Sequence, residues 1–316
     1  MKSVVEYKCE YTAITEQEDE YMIELIVSDM DGTLLTAAHD ISPKTQELLL
    51  TLQQKGITLV LASGRSYLRL MPDALKLKMD SHQGYLIDVN GSSIYDFHSQ
   101  TRERLGIMDS EDIQKVTSVF RTFNVEIQFS QDAGLYTYLP DSLYDLKKRI
   151  RGEMRLPDDY PWASGMYGWL CDMRDGYPEQ KLILDLKEAP TSCNKISISQ
   201  DPHFMEAVTQ SLPHLGLHDD YELVFSDERK LEITKKGINK GKALDTLLEK
   251  LGLSNEEVAV FGDSENDISM LSGRPYSFAM DNALPKAKSV ANYATPSNDD
   301  EGVYHGLKQL ISEGLL

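Results

Sequence analysis

The sequence predicts an α/β chain: a Rossmann-like, doubly wound parallel-sheet core with an inserted α+β domain. Three observations carry that expectation. Apolar runs of strand length alternate with helical stretches over 22–94 and again over 238–316, as βαβ units with buried parallel strands require. Polar clusters stand at the ends of those runs, where open α/β sheets bind ligands. Between 95 and 237 the chain turns to mixed charge, aromatics and short alternations, the pattern of antiparallel strands in a separate domain.

The elements follow in order. Residues 1–21 are polar and acidic, with Glu16-Gln17-Glu18-Asp19-Glu20 before Tyr21. They read as an N-terminal extension outside the core, with a helix packed on its outside as the alternative; Met22 offers a second start. Ile23-Glu24-Leu25-Ile26-Val27 is a buried strand that runs into Asp29-Met30-Asp31-Gly32-Thr33. Ser42 and Pro43 make an N-cap and first-turn pair, Leu48, Leu49 and Leu52 an apolar stripe, and Gly56 a stop. The second strand, Ile57 to Ala62, ends at Ser63-Gly64-Arg65. A right-handed crossover then sets Ser63 beside Asp29. A helix from Tyr67, bent by Pro72, and a strand from Tyr85 to Val89 ending at Asn90-Gly91 complete the first part.

In the insertion, strands are expected at Val125–Phe129, Leu135–Leu139, Lys181–Leu186, Lys195–Ile198 and Lys230–Thr234, with helices at Asp145–Arg151 and His203–Leu212. Pro157 to Gln180 matches no element. The core resumes with a helix from Gly241 to Leu251 closed by Gly252, and a strand Val258–Phe261 ending at Gly262-Asp263-Ser264-Glu265-Asn266-Asp267. Strands at Ser277–Met280 and Val290–Ala294 and a helix at Val303–Ile311 finish the chain.

Composition narrows the function. Acidic residues number 51 against 32 basic, a formal charge of −19, which disfavours nucleic acid and anionic lipid as partners. Phosphate chemistry in such a field needs a local cation. No apolar run reaches the ~20 residues of a membrane span. Cys9, Cys171 and Cys193 lack metal-ligand or disulfide spacing and read as reduced residues of a cytoplasmic protein. The sequence sets no oligomeric state.

Four polar clusters converge at one sheet edge: Asp29/Asp31, Ser63, Lys240 and Asp263/Asn266/Asp267. Magnesium takes hard oxygen ligands, often one or two carboxylates plus substrate phosphate. Asp29 and Asp263 fit, with the Asp31 backbone carbonyl as a third oxygen.

This combination resembles the haloacid dehalogenase superfamily of phosphotransferases. Asp29-Met30-Asp31-Gly32-Thr33 matches its DxDGT motif and Leu61-Ala62-Ser63-Gly64-Arg65 its Ser/Thr motif. Asn239-Lys240-Gly241 matches its lysine motif and Gly262 to Asp267 its GDxxND motif. Asn90-Gly91, Leu231-Glu232-Ile233, Ala279-Met280-Asp281-Asn282-Ala283 and Glu301-Gly302-Val303 are similar to the Cof-type subfamily with a class IIB (C2B) cap. The resemblance spans about 22–316, loosely within the cap; the extension and Pro157 to Gln180 depart from the pattern.

The resemblance implies a magnesium-dependent phosphatase acting on small phosphorylated metabolites, sugar or cofactor phosphate monoesters, through an aspartyl-phosphate. Asp29 is then the nucleophile and Asp31 the general acid/base, partly desolvated when the cap closes. Ser63, Lys240, Asn266 and backbone N–H groups of the first loop hold phosphoryl oxygens. Asp267 orients metal-bound water or Lys240, and Asn90 and Gly91 are substrate candidates. Plainer readings stand beside these: loop or helix caps for Asp31, Ser63 and Asp263, a solvated helix start for Lys240, a helix-start acid for Asp267, and turn chemistry for Asn90 and Asn282. Arg65 reads as a surface ion pair.

In the cap, Tyr136, Tyr138 and the run Lys147-Lys148-Arg149 with Arg151 are candidates to choose the leaving group, although the expectation for the run is a solvated helix face. Tyr160/Trp162 and Tyr167/Trp169 are expected to pack rather than to line a pocket. Two other functions use the same core: a phosphosugar mutase, which needs cap arginines for a second phosphate, and a non-catalytic metabolite binder.

Overall fold

A computed structural model describes residues 22–165 and 168–316, apart from the side chains of Ser226 and Asp227. The extension 1–21 and Tyr167 lie outside the described residues.

The core begins with β1 (Leu25–Asp29), α1 (Pro43–Gln54), β2 (Thr58–Ala62), α2 (Tyr67–Lys76) and β3 (Tyr85–Asp88). Two further strands, β4 (Ser93–Asp96) and β5 (Thr101–Arg104), follow directly. The insertion holds α3 (Ser110–Phe120), β6 (Glu126–Ser130), β7 (Gly134–Tyr138), α4 (Asp141–Met154), β8 (Glu179–Ile183), β9 (Lys195–Ser199), α5 (Pro202–Ser211), β10 (Tyr221–Asp227) and β11 (Lys230–Lys235). The core then returns with α6 (Lys240–Leu251), β12 (Val258–Gly262), α7 (Ile268–Leu271), β13 (Tyr276–Met280), α8 (Pro285–Lys288), β14 (Tyr293–Thr295) and α9 (Gly302–Ser312).

The described strands form two sheets. The core sheet runs β14-β13-β12-β1-β2-β3-β4-β5, parallel from β14 to β3 and antiparallel at β4 and β5. From β1 the chain winds outward through β2 and β3, and on its return outward the other way through β12 to β14. The strand order therefore reverses between β1 and β12. That switch point opens a crevice beyond the carboxyl ends of both strands. β1, β2 and β12 are almost wholly buried, as Leu25, Val27, Val60, Leu61, Val258 and Val260 show, so they read as continuous apolar runs.

The cap sheet runs β10-β11-β9-β6-β7-β8, antiparallel except where β7 pairs β8. Its alternation splits the faces. Ile127, Phe129, Ile196, Ile198, Leu231 and Ile233 share one apolar cluster with Ile113, Val116 and Phe120 of α3 and Met205 and Val208 of α5. Glu126, Gln128, Ser130, Lys195 and Ser197 alternate with that apolar set and are buried as well.

Several elements differ from expectation. The core sheet continues past Tyr95 to Arg104, because Thr101-Arg102-Glu103-Arg104 is a polar edge strand with no apolar alternation to announce it. The last strand is Tyr293–Thr295 rather than Val290–Ala294, and β8 begins two residues before Lys181. β10 carried no expectation.

The basic run of α4 is a correction. Lys148 and Arg149 are exposed, but Lys147 and Arg151 are buried. Their i,i+4 spacing places both on one helix face, and that face packs on the strandless stretch after the helix. Lys147 donates to Glu126 Oε2 and to the Trp162 carbonyl. Arg151 donates to the Pro157 and Asp158 carbonyls at 2.9 and 3.0 Å, and its guanidinium lies 4.2 Å from the Trp162 ring centroid. Loop carbonyls inside a fold need donors, and here two buried cations supply them. Trp162 stacks on Tyr144 at 5.2 Å, so it packs as expected.

Arginines of β5 join core to cap. Arg102 of β5 donates to Asp88, fully buried at the end of β3, and to Asp132 in the cap turn between β6 and β7. Asp132 also accepts from Arg104 at 2.8 Å and from Asn194 at 2.9 Å.

Candidate active site

The switch point gathers residues from three separate stretches. Asp29 ends β1 and is buried. Lys240 opens α6, is wholly buried, and donates both to Asp29 Oδ1 and to Asp267 Oδ1, the latter at 2.6 Å. A cation at a helix start opposes the dipole, and the two carboxylates compensate it. Asp263 follows β12, where Thr33 donates to its Oδ1 at 2.8 Å and Ser264 to its Oδ2 at 2.9 Å. Asp267 is wholly buried and accepts the backbone N–H groups of Asp263 and Ser264 at 3.0 and 2.9 Å. It thus caps its turn and pins Lys240 at once. Gly32, at φ +83°, lies so near Asp263 that a Cβ would meet the carboxylate at 2.6 Å.

Carboxylate oxygens of Asp29, Asp263 and Asp267 lie within 4.8 Å of one another. Three carboxylates against one ammonium leave two negative charges uncompensated in a buried place. Burial pushes the Asp29 carboxyl well above its ordinary range; Lys240 opposes this, while Asp267 and Asp263 add to it. Asp263 is raised too, by burial and by Asp267, against the Thr33 hydrogen bond. Burial works against the Lys240 charge, but Asp267 and Asp29 outweigh it and hold the ammonium above its usual range. A hard donor set with this charge deficit fits a divalent cation. Asp29 accepts from Lys240 on Oδ1 and Asp263 accepts only from the Thr33 and Ser264 hydroxyls, whereas Asp267 is committed to Lys240 and to two backbone N–H groups, so Asp29 and Asp263 are the better placed to turn oxygens to a cation.

Ser63 follows β2, is buried, and accepts the Arg65 N–H at 3.1 Å, leaving its own hydroxyl proton to donate. Asn266 donates to Asn90 at 2.9 Å, which ties the two carboxamides together. Gly91 faces elsewhere: at φ +94° it abuts the backbone before Lys240, where a Cβ would meet the Asn239 carbonyl oxygen at 2.2 Å. Asn282 donates to the Gly32 carbonyl at 2.8 Å, bracing the first loop.

Asp31 stands at the mouth of the site. Its side chain is 48% exposed and is gripped by Arg65, whose Nε donates to Oδ2 at 2.8 Å while Nη2 reaches Oδ1. Arg65 therefore makes its ion pair inside the site.

A cleft of about 550 Å³ lies over these residues. Its core side includes Asp29, Asp31, Ser63, Arg65, Asn90 and Asn266; its cap side includes Met173, Tyr177, Lys195, Phe225 and Glu232. Tyr136 and Tyr138 pack instead against the apolar cap cluster. Sequence reasoning missed Lys195, Tyr177 and Arg69 as cleft residues. For Lys195 a signal existed: in Lys195-Ile196-Ser197-Ile198 the isoleucines claim one face and turn the lysine to the other.

A family model described as haloacid dehalogenase-like hydrolase matches residues 26–307. The chain belongs to the haloacid dehalogenase-like hydrolases. Phosphatase YwpJ of Bacillus subtilis is 28% identical over 299 residues, spanning 92% of this chain and 100% of that protein. HMP-PP phosphatase of Serratia proteamaculans is 29% identical, spanning 85% and 88%. A crystal structure of a haloacid dehalogenase-like hydrolase from Bacteroides thetaiotaomicron is 27% identical, with a TM-score of 0.73 over 91% of this chain and 99% of that one. This member is accordingly a phosphatase of the Cof type. Among the described residues, no helix is long and apolar enough to cross a membrane.

Proposed function

We propose that the chain hydrolyses phosphate monoesters of small metabolites, with Asp29 as nucleophile and Mg2+ as cofactor. The observation that carries the reading is the meeting of Asp29, Lys240, Asp263 and Asp267 at the switch point beneath a cleft. Asp29, Asp263 and the Asp31 carbonyl would hold the cation, which supplies charge neutralisation at the phosphoryl oxygens. Asp29 Oδ attacks phosphorus in line, the ester oxygen departs, and a phospho-aspartate remains. Lys240, Ser63 and Asn266 bind the phosphoryl oxygens, and Asp267 keeps Lys240 aimed.

Asp31 protonates the leaving oxygen and then takes a proton from the hydrolytic water, which attacks the phospho-aspartate and frees phosphate. For this it must swing off Arg65, so the Asp31–Arg65 pair is a resting position. The HMP-PP phosphatase relative, by its name, acts on a phosphorylated metabolite, which supports the same class here. Release of free phosphate distinguishes hydrolysis from a mutase: among the described residues, the arginines that line the cleft are Arg65, just before α2, and Arg69 within it, both of the core.

The test is a panel of phosphate monoesters with Mg2+ and then with EDTA. Release of phosphate that EDTA abolishes, and that Asp29→Asn lowers by about 10^4-fold or more, supports the reading. An Asp29→Asn protein of undiminished activity rejects it.

A further inference from the structure

We infer that Glu232, held in place by Lys195, selects the leaving group by accepting its hydrogen-bond donors; the inference rests on the phosphatase reading of the same cleft. The phosphoryl end of a substrate belongs at Asp29, Ser63 and Lys240, so its leaving group extends to the cap side. There Lys195 donates to Glu232 Oε1 at 2.8 Å. Both line the cleft, and the side chains are only 10% and 16% exposed.

The pair is built into strands rather than loops. Glu232 stands opposite Ser197 in the β9–β11 register, two residues from Lys195, so the contact is a diagonal cross-strand pair. The flanking Ile196, Ile198, Leu231 and Ile233 are buried in the opposite apolar face. A one-residue slip would bury both charges in that face, so the register fixes where they point.

A carboxylate in a cleft for anionic esters is repulsive unless it is compensated and used. Burial works against the Lys195 charge, yet Glu232 outweighs it and holds the ammonium above its usual range. Burial likewise pushes Glu232 up, but Lys195 and Lys230 outweigh it and hold the carboxyl below its usual range. At neutral pH Glu232 is therefore ionised and can only accept. Met173, Tyr177 and Phe225 line the same end with apolar surface. The chemistry selected is a leaving group that presents hydroxyl or amine donors to Glu232.

The experiment measures kcat/KM of wild type and variants on glucose 6-phosphate, ribose 5-phosphate and phosphoethanolamine, each divided by that on 4-nitrophenyl phosphate, whose leaving group has no donor. Glu232→Gln should lower the best donor-bearing ratio about ten- to hundredfold, the scale of one charged hydrogen bond. Lys195→Met should lower it too, and Lys195→Arg should restore part of it. The double variant Lys195→Met/Glu232→Leu leaves no unpaired charge if a single variant fails to fold, and should show the same loss of ratio. Ratios that stay level in all variants overturn the inference, because a purely structural pair would move every substrate together. A wild type that prefers 4-nitrophenyl phosphate to every donor-bearing ester overturns it while the phosphatase reading stands. Failure to cleave any ester, 4-nitrophenyl phosphate included, overturns both.

Discussion

Replacing Lys240 by methionine removes the ammonium that Asp29 and Asp267 share. The volume is nearly kept, so the effect is electrostatic. Three carboxylates remain within 4.8 Å of one another with their cation gone. Breaking a buried ion pair by deleting one partner costs about 3–5 kcal/mol. At roughly 2–4 °C per kcal/mol for domains of this size, the metal-free protein should lose about 6–20 °C in Tm. Mg2+ then acts on a larger charge deficit, so its stabilising shift should exceed that of the wild type. Differential scanning calorimetry in EDTA and in MgCl2 measures both quantities, and a phosphatase assay alongside should show kcat reduced about 10^2–10^3-fold. An unchanged Tm, or a smaller Mg2+ shift than in the wild type, would refute the reasoning that Lys240 is the charge holding this cluster together.

Other perturbations test other parts. Gly91→Ala forces a side chain against the Asn239 backbone at a positive φ; steady-state kinetics should show kcat/KM down about 10–10^2-fold as Lys240 is displaced. Asp132 is held below the usual carboxylate range, as Asn194, Arg102 and Arg104 outweigh burial. Its contribution is present above the unfolded pKa of about 3.9 and is lost as pH falls through the folded value. The Tm gap between wild type and Asp132→Asn should therefore be full at neutral pH and close below about pH 4. Lys147→Met strands Glu126, which is wholly buried, and should cost about 3–5 kcal/mol in urea unfolding. Adding Glu126→Gln should return part of that loss, because it removes the unpaired charge and keeps a carbonyl oxygen for the Ser164 N–H.

Much of the fold and site was legible for one physical reason. Parallel strands buried on both faces are continuous apolar runs, so β1, β2 and β12 stand out, and the polar residues that end them fall at the sheet's carboxyl edge. Asp29, Ser63, Lys240, Asp263 and Asp267 meet there because the winding reverses at β1. What stayed hidden depends on partners distant in sequence. β5 is Thr-Arg-Glu-Arg, indistinguishable from a loop until β4 pairs with it. Lys147 and Arg151 look like helix surface until the loop carbonyls they serve are folded onto them. Asp31 and Arg65 come from different strand ends, and no local pattern announces that one holds the other. Lys195 and Glu232 were visible as strand residues, but only the packing of cap on core shows that their face overlooks the nucleophile.

Arg102 has one guanidinium and two clients, Asp88 below the junction and Asp132 above it. A rigid swing of the upper sheet away from the lower one cannot satisfy both. Either the arginine stays with the wholly enclosed Asp88 and leaves Asp132 to Asn194, which travels with it, while Arg104 stays behind on β5, or it travels and strands a charge inside the lower layer. The first route is cheaper, since Asp132 keeps the Asn194 donor and is already 25% exposed, whereas Asp88 is wholly enclosed. The hinge therefore has a preferred parting line, and it runs between Arg102 and Asp132.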